Sequence, residues 1–574
     1  ESETSWNSDG TVRSERSADG AITAYEYDER GLMVSATSPE SNKTWTYDRA
    51  GRLVKFATAD SWTDMEYSDD DRSVVIREGG LYSETRQLNA WGESVGIIDG
   101  EGNARTYTRD GAGRIAASAD GYGNITSYTY NALGEIASVT LPDGSRSVYE
   151  YTIHGSLEKV SDDCGLVWAG TYDSMGRLIA EHGRPGFTRE YRYDQSGRLI
   201  ETSESSTGNE SREYADRGKT ETVRDGNGRA YMYRRDSFGR LTEERNREGD
   251  TQEYQYDQMD RAVSVRSFSG KLTLSSRDDS ARTSTLTYPD GTFAATRRNE
   301  SGHITEAVGE TGSIRWTYDA GGRMTAQHDV RSGETTRYGY DRAGRRTVMI
   351  SGDRYVRYSY GKNGELTGIE DTSKGMSASF VYDRCGRETA RTFGNGVTVS
   401  REYDLAGRVI SITERSSGGS ILRSESYTYD EDGRRALTTD EKGAVTQYRY
   451  DDSGRIAAVI YPWSEERAAA DRLEAMEAGL SLPLTAGKPV IVNINGTQRL
   501  SWPVRYTYDA NGNRLGKTTP WGTISWSYDR ENRIACSGAT TYTWDSDGNL
   551  LEKKGLQKTA SYTYTCDNRM KTAV

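Results

Sequence analysis

The sequence predicts an all-β fold: tandem β-hairpins forming one long antiparallel ribbon that spirals into a hollow shell, with one small helical insertion. Three observations predict it. A short pattern recurs almost throughout: two aromatics one residue apart, then Asp, two variable residues, Gly and Arg, as in Tyr191-Arg192-Tyr193-Asp194-Gln195-Ser196-Gly197-Arg198. Successive copies keep a short period, 21 residues from Tyr172 to Tyr193, 22 from Tyr318 to Tyr340 and 21 from Tyr382 to Tyr403; self-similarity at such a period defines a repeat architecture. Finally, only 34% of the 574 residues are apolar, while Tyr exceeds Phe by 39 to 7. Tyrosine, with an apolar body and a polar tip, suits a sheet that is wet on at least one face.

Each element of the unit follows from local chemistry. In Tyr172-Asp173-Ser174-Met175-Gly176-Arg177, Asp bonds the backbone two residues on, and Gly accepts the left-handed conformation; together they make a type I turn closing a hairpin. Leu178-Ile179-Ala180 leads away as a strand. A looser second turn follows at Gly183-Arg184-Pro185-Gly186, and the chain returns to Tyr193 with alternating aromatics, a strand period of two. Second turns elsewhere read Pro142-Asp143-Gly144, Asp225-Gly226-Asn227-Gly228, Pro289-Asp290-Gly291 and Gly394-Asn395-Gly396. The repeat-defining residues are Tyr47, Asp48, Gly51, Arg52; Tyr172, Asp173, Gly176, Arg177; Tyr193, Asp194, Gly197, Arg198; Tyr318, Asp319, Gly322, Arg323; Tyr340, Asp341, Gly344, Arg345; Tyr403, Asp404, Gly407, Arg408; and Tyr450, Asp451, Gly454, Arg455. Their expected role is structural, with each Arg either paired to Asp or laid on a neighbouring Tyr face. Some copies are worn: Tyr256-Asp257-Gln258-Met259-Asp260-Arg261 has Asp in place of Gly, tolerable at some cost.

The pattern breaks between Pro462 and Pro503, dividing the chain into repeat (1–461), insertion (462–503) and repeat (504–574). Ser464-Glu465-Glu466-Arg467 opens a helix and Gly479 ends it; Ala469, Leu473, Met476 and Leu480 form its apolar stripe, and Val490-Ile491-Val492, after Pro483 and Pro489, forms a short strand. The insertion is either a decoration packed on the sheet or a plug that touches cargo. Unit length gives roughly 27 hairpins and about 50 strands, a ribbon roughly 240 Å wide at 4.8 Å per strand. Open sheets rarely pass about 10 strands without curling or splitting, so the ribbon winds on itself, and its few aliphatic residues leave the middle empty.

Composition and motif searches narrow the function. Net charge is −13, which disfavours nucleic-acid backbones and anionic membrane faces as partners. No run of 18 apolar residues is present, so no membrane helix is expected. Cys164, Cys385, Cys536 and Cys566 form no CxxC and read as free thiols. His154, His182, His303 and His328 lie in different repeats without metal-ligand spacing. Gly92-Glu93-Ser94-Val95-Gly96 matches a nucleophile elbow by letters but lacks the strand-to-helix context. Asn42, Asn124 and Asn495 head glycosylation sequons, which matter only in a secreted eukaryotic chain. No catalytic, cofactor-binding or metal site is assigned.

The Tyr-Asp-x-x-Gly-Arg units, with their Asp-Gly second turns, resemble the YD repeats of the Rhs (rearrangement hotspot) family. Related shells occur in the C component of bacterial insecticidal toxin complexes, in wall-associated toxins and in teneurins. The resemblance covers all but 462–503. It implies a spiral cocoon that encloses a C-terminal toxin or passenger domain, partnered by a secretion or delivery component, in a protein exported from bacteria or held at the cell surface. The family's Asp-Pro self-cleavage motif is absent from these residues. The chain starts Glu1-Ser2-Glu3 without Met and ends within a repeat, so it reads as a segment of a longer protein. Two other architectures or roles compete: a surface-exposed carbohydrate- or wall-binding module, favoured by aromatic hairpins, and a β-propeller, in which two units make one blade. An enzyme within this segment ranks last.

Overall fold

A computed structural model describes residues 3–574 except 19, 185, 206 and 483–486; Pro185 and Pro483 thus lie outside the described residues. The described residues form 53 strands, from Glu3–Trp6 to Met570–Ala573, in one antiparallel sheet not closed into a barrel. Each strand pairs with the next in sequence, except that Ile456–Pro462 skips Val490–Ile494 and pairs with Thr497–Tyr508, which forms a hairpin with Val490–Ile494 as well. Among the described residues the strands form no separate blades.

The two edges of the ribbon differ, and the difference makes it curve. At the Tyr-Asp edge, Gly176 N–H donates to the Asp173 carbonyl (3.0 Å) and Asp173 N–H to the Arg177 carbonyl (2.9 Å), a type I turn closed by a left-handed glycine. Beyond it the register slips: Thr171 faces Ala180 but Tyr172 faces Leu178, leaving Ile179 unopposed. The same bulge recurs at Tyr47, Tyr193, Tyr318, Tyr340, Tyr403 and Tyr450. Most second turns carry none, as at Asp99–Asn103. A bulge bends its strand and increases the local twist. Repeated along one edge, it coils the whole sheet.

The coil is visible in contacts between distant turns. Asn363 Oδ1 accepts from Gly121 N–H (2.7 Å), and Asp143 pairs with Arg387 (2.9 Å). Ser301 Oγ lies 2.9 Å from both Thr58 Oγ1 and Ser61 Oγ. In each case a second-edge turn meets a Tyr-Asp turn 23 strands further on. Their sequence separation is 237–244 residues; across 462–503 it rises to 278–303. The insertion therefore lengthens the chain without lengthening the ribbon's path. A coil of 23 strands has a circumference of about 110 Å and a diameter of about 35 Å, which leaves a lumen about 25 Å across after a side-chain layer on each side.

The interior is hollow by its surface as well. The chain exposes 32897 Å², against roughly 20,000 Å² for a compact protein of its mass. Strands such as Ile125–Tyr130 and Phe187–Tyr193 alternate exposed and half-buried residues, the tyrosines being the half-buried ones. The tyrosine face is thus the less accessible, concave side of the curved sheet.

Among the described residues the clustered core lies around the insertion, in two groups: Val445, Ile460 and Ile494, and Ala468, Trp502 and Val504. The helix Glu465–Glu477 is N-capped by Ser464, whose side chain accepts from Arg467 N–H, and Gly479 follows its end with φ +80°. Its buried face is Ala468, Asp471 and Ala475, whereas Leu473 and Met476 are exposed. This corrects the expected Ala469–Leu473–Met476–Leu480 stripe. The helix turns to place Asp471 beneath Trp502 Nε1 (2.6 Å) and beside Lys517 Nζ (2.9 Å), and a buried carboxylate left unpaired costs far more than an exposed Leu.

The worn copy at Asp260 holds the left-handed turn position with φ +60°. Asp260→Gly should therefore stabilise the chain by roughly 1 kcal/mol, less whatever its exposed pair with Arg240 contributes. Urea melts of the two proteins would show no gain if that turn were unstrained.

Candidate functional site: the repeat joint and the inner wall

Within each full copy the motif residues form one linked chain of contacts. Asp173 Oδ1 accepts from Met175 and Arg177 N–H (2.9 and 3.0 Å), and Oδ2 from Arg177 Nε (2.7 Å). The same Nε bond closes Asp48–Arg52 (2.8 Å), Asp194–Arg198 (2.7 Å), Asp319–Arg323 (2.9 Å), Asp341–Arg345 (2.8 Å), Asp404–Arg408 (2.7 Å) and Asp451–Arg455 (2.9 Å). Held this way, each guanidinium lies over the aromatic ring of the next unit. Arg177 sits 4.7 Å from the Tyr193 centroid, Arg198 4.5 Å from Tyr214 and Arg52 4.4 Å from Tyr67. Arg323 covers Tyr340, Arg345 covers Tyr360, Arg408 covers Tyr429 and Arg455 covers Tyr508. Gly51, Gly176, Gly197, Gly322, Gly344, Gly407 and Gly454 all have φ between +76° and +81°.

The tyrosine hydroxyl completes the joint. Tyr193 Oη donates to the Leu178 carbonyl (2.9 Å). That carbonyl stands beside the bulge, where the ladder to the next strand has not yet begun: pairing starts only at Ala180–Glu190. Tyr47 reaches Met33 (3.0 Å), Tyr172 Leu157 (2.6 Å), Tyr318 Ile304 (2.7 Å), Tyr340 Met324 (2.5 Å), Tyr403 Glu388 (2.7 Å) and Tyr450 Arg435 (2.9 Å). The hairpins splay at this edge, and the tyrosine spans the gap. Backbone polar groups there are satisfied without a continuous ladder, so the sheet can widen at one edge and curve.

Charge follows the same joints. Backbone and guanidinium hydrogen bonds from Arg177 and Arg198 hold Asp173 and Asp194 below the usual carboxylate range. At the seam between coils, burial works to raise Asp143, but the Ser145 hydroxyl and N–H, the Cys385 thiol and Arg387 outweigh it and hold the carboxyl at about 2. A depressed carboxylate pKa stabilises the folded state fully above the unfolded value of 3.8 and loses that contribution as pH falls toward 2. Asp143→Asn should therefore flatten the acid-unfolding curve between about pH 4 and 2. An unchanged curve would mean the seam pair does not couple to folding.

Residues whose types suggest chemistry sit in structural positions. Gly92 is the left-handed glycine of a turn (φ +81°), and Ser94 opens the strand Ser94–Asp99 rather than preceding a helix. His303 stacks on Tyr318, and His328 Nδ1 lies 2.8 Å from Thr335 Oγ1. All four cysteines are free thiols. Among the described residues no group of three or more His, Cys, Asp or Glu is placed to hold a metal, and no helix is long and apolar enough to cross a membrane. The inner wall offers open hollows rather than enclosed clefts; one of about 540 Å³ is lined by Tyr107, Tyr128, Tyr130, Ile136 and, from the next coil, Asn363 and Cys385.

Comparison with known proteins agrees with this construction. The Teneurin YD-shell family model matches residues 168–334, and the RHS Repeat model matches 6–43, 403–445 and 429–462. Over those stretches the chain carries RHS-type YD repeats. No curated protein matches it. Among solved structures, this YD-repeat chain is similar to the crystal structure of TcdB2-TccC3-Cdc42 (13% identity, TM-score 0.54) and to that of TcdB2-TccC3 (14% identity, TM-score 0.55). Each match covers 99% of this chain and 38% or 36% of the other. The YD repeats thus span little more than a third of those chains, and at such identity the likeness concerns the fold.

Two features of the YD-repeat wall escaped the motif. One is the tryptophan-lined core under the helix. The other is the set of second-turn glycines that let coils touch: a Cβ on Gly100 would stand 2.1 Å from the Arg342 carbonyl oxygen, and one on Gly79 2.3 Å from Gly321 N.

Proposed function

We propose that this chain is wall: part of a shell that encloses a passenger polypeptide, a toxin domain further along the same protein, and keeps it from solvent and proteases by steric exclusion until delivery. The observation that carries this reading is the lumen. A sheet wet on both faces, wound in coils of 23 strands, has no core to stabilise by closing and spends its material on enclosing space. In this reading residues 1–461 and 504–574 form the wall, and 462–503 braces its inner face. The protein is one that leaves its cell through a bacterial delivery route or stays at the surface. The repeats are structural, and no catalytic role is assigned to them.

A glycan-binding module would need free aromatic faces. Here the motif rings carry guanidinium groups 4.4–5.1 Å above them, which leaves those faces occupied. The test uses the full-length protein. Its passenger should resist a protease that readily cuts the isolated passenger domain, and particle images should show density within the lumen. Equal cutting rates together with an empty lumen would remove the container reading.

A further inference from the structure

The inner-face helix carries more polar chemistry than its packing needs. Asp471 and Glu474 stand three residues apart on one face of Glu465–Glu477, and both meet one lysine. Lys517 Nζ lies 2.9 Å from Asp471 Oδ1 and 2.6 Å from Glu474 Oε2. From the other side of the carboxyl, Trp502 Nε1 donates to Asp471 Oδ2 at 2.6 Å. The Lys517 and Asp471 side chains are only 13% and 7% exposed, at the edge of the cluster that the fully buried Trp502 forms with Trp463 and Trp521. Other lysines of the ribbon pair on its surface: Lys55 with Asp64 and Lys159 with Glu150 are exposed pairs. At the repeat joints the cation is arginine, whose guanidinium keeps its charge. Here it is lysine, a nucleophile once it gives up a proton.

We propose that Lys517 and Asp471 condense to an intramolecular amide, an isopeptide bond that fastens the helix to the strand Arg514–Thr519, with Glu474 relaying the proton and the Trp502 indole holding the oxyanion. The carboxyl that reacts is the buried one polarised by an N–H donor. Glu474, nearly half exposed, has no such donor and serves as the relay. Asp471 and Lys517 lie 46 residues apart, so the trio exists only in the folded chain, and the bond follows folding.

The step balances without a co-reactant. The Lys517 ammonium passes one proton to Asp471 Oδ1, leaving an amine and a neutral carboxyl group. Burial works to lower the Lys517 pKa, but hydrogen bonds with Glu474 and Asp471 outweigh it and hold it raised; the proton therefore goes to a carboxylate of the trio, not to solvent. The amine lone pair attacks Asp471 Cγ. A C–N bond forms, and the electron pair of the C=O bond moves onto Oδ2, where the Trp502 N–H meets the developing charge. Glu474 takes a proton from the nitrogen and delivers it to Oδ1; the Cγ–Oδ1 bond breaks, and Oδ1 leaves as water. One ammonium and one carboxylate become one amide and one water, and Glu474 ends as it began. Nζ already touches the carboxyl it attacks, and such proximity supplies much of what a free amine and acid lack.

The experiment is mass spectrometry of this chain. The intact protein, 63.8 kDa by sequence, should weigh less by one water, about 18 Da. Trypsin should fail to cut after Lys517 and should release residues 468–472 joined to residues 515–530. Lys517→Arg keeps the charge but should show the full sequence mass. Glu474→Gln keeps both reacting groups and should also leave the mass unshifted, with hydrogen exchange across 465–477 confirming that the helix is in place. Trp502→Ala, which removes the oxyanion donor and the dry cover, should likewise stop the reaction. A wild-type chain at its full sequence mass, cut normally after Lys517, would reduce the trio to a buried ion pair and overturn the bond. Loss of water that persists in Glu474→Gln would overturn the relay.

Discussion

Trp502→Ala is expected to release the helix Glu465–Glu477 while leaving the ribbon wound. Trp502 is fully buried, with Trp463 and Trp521 ring centroids at 5.3 and 6.3 Å and Ala468 and Val504 in the same cluster. Truncating such a residue costs about 3–5 kcal/mol through lost packing and the cavity left behind. Here the indole N–H is also lost to Asp471 Oδ2, 2.6 Å away. Asp471 keeps Lys517, which Glu474 also contacts at 2.6 Å, but it loses the cover that made the site dry. Elsewhere the chain has almost no core to lose, because each unit contacts mainly its neighbours, and stability in such an array is a sum of local terms. Hydrogen exchange should therefore accelerate across 465–477, with the strands around Tyr172 and Tyr340 unchanged. Trp502→Phe, which keeps most of the packing and removes only the donor, should lose about half as much or less. Exchange that accelerates along the whole ribbon would show that the insertion governs the winding.

The contrast between the helix and the repeats explains what a reader of the sequence can and cannot see. The turns were legible because their chemistry is local. Asp bonds amides two and four residues on, and a glycine takes a positive φ, so the letters themselves state the geometry. The hollow followed from arithmetic on strand number and apolar content. What stayed hidden was non-local. The helix was placed correctly by its Ser464 cap, but its buried face was not: the apolar stripe at Leu473 and Met476 pointed one way, while Asp471 found Trp502 and Lys517, 31 and 46 residues on. The bulge at Ile179 left no composition signal at all. The seams, by contrast, did leave one. Asp99-Gly100-Glu101-Gly102 and Asp120-Gly121-Tyr122-Gly123 each carry two glycines, and only Gly102 and Gly123 have positive φ. A glycine that its own turn does not need is reserved for something that comes close.

That spare glycine gives the second large effect. Gly100→Ala should open the seam between coils, and Gly102→Ala, two residues away, should not. A Cβ on Gly100 would stand 2.1 Å from the Arg342 carbonyl oxygen and 2.5 Å from its carbon, both backbone atoms that no rotamer change can move. A Cβ on Gly102 meets nothing within 4 Å, but its φ of +84° strains any L-residue. Overpacking and left-handed strain each cost about 1–3 kcal/mol, so urea melts alone would not separate the two variants. The seam does. Ser83 N–H donates to that same Arg342 carbonyl at 3.0 Å, and Glu101 Oε1 accepts from Arg342 N–H at 2.8 Å. Pushing the coils apart at Gly100 breaks both bonds and should speed exchange at Ser83 and Arg342. Combined with Gly79→Ala and Gly121→Ala, which meet Gly321 and Lys362 backbone in the same way, it should admit protease to the lumen. Equal exchange at Ser83 in both single variants would mean that the coils are held by their charged turns and that close backbone approach is incidental. A slit limited to the Gly100 variant would mean that the wall is tight because its second turns carry no side chain where they meet the next coil.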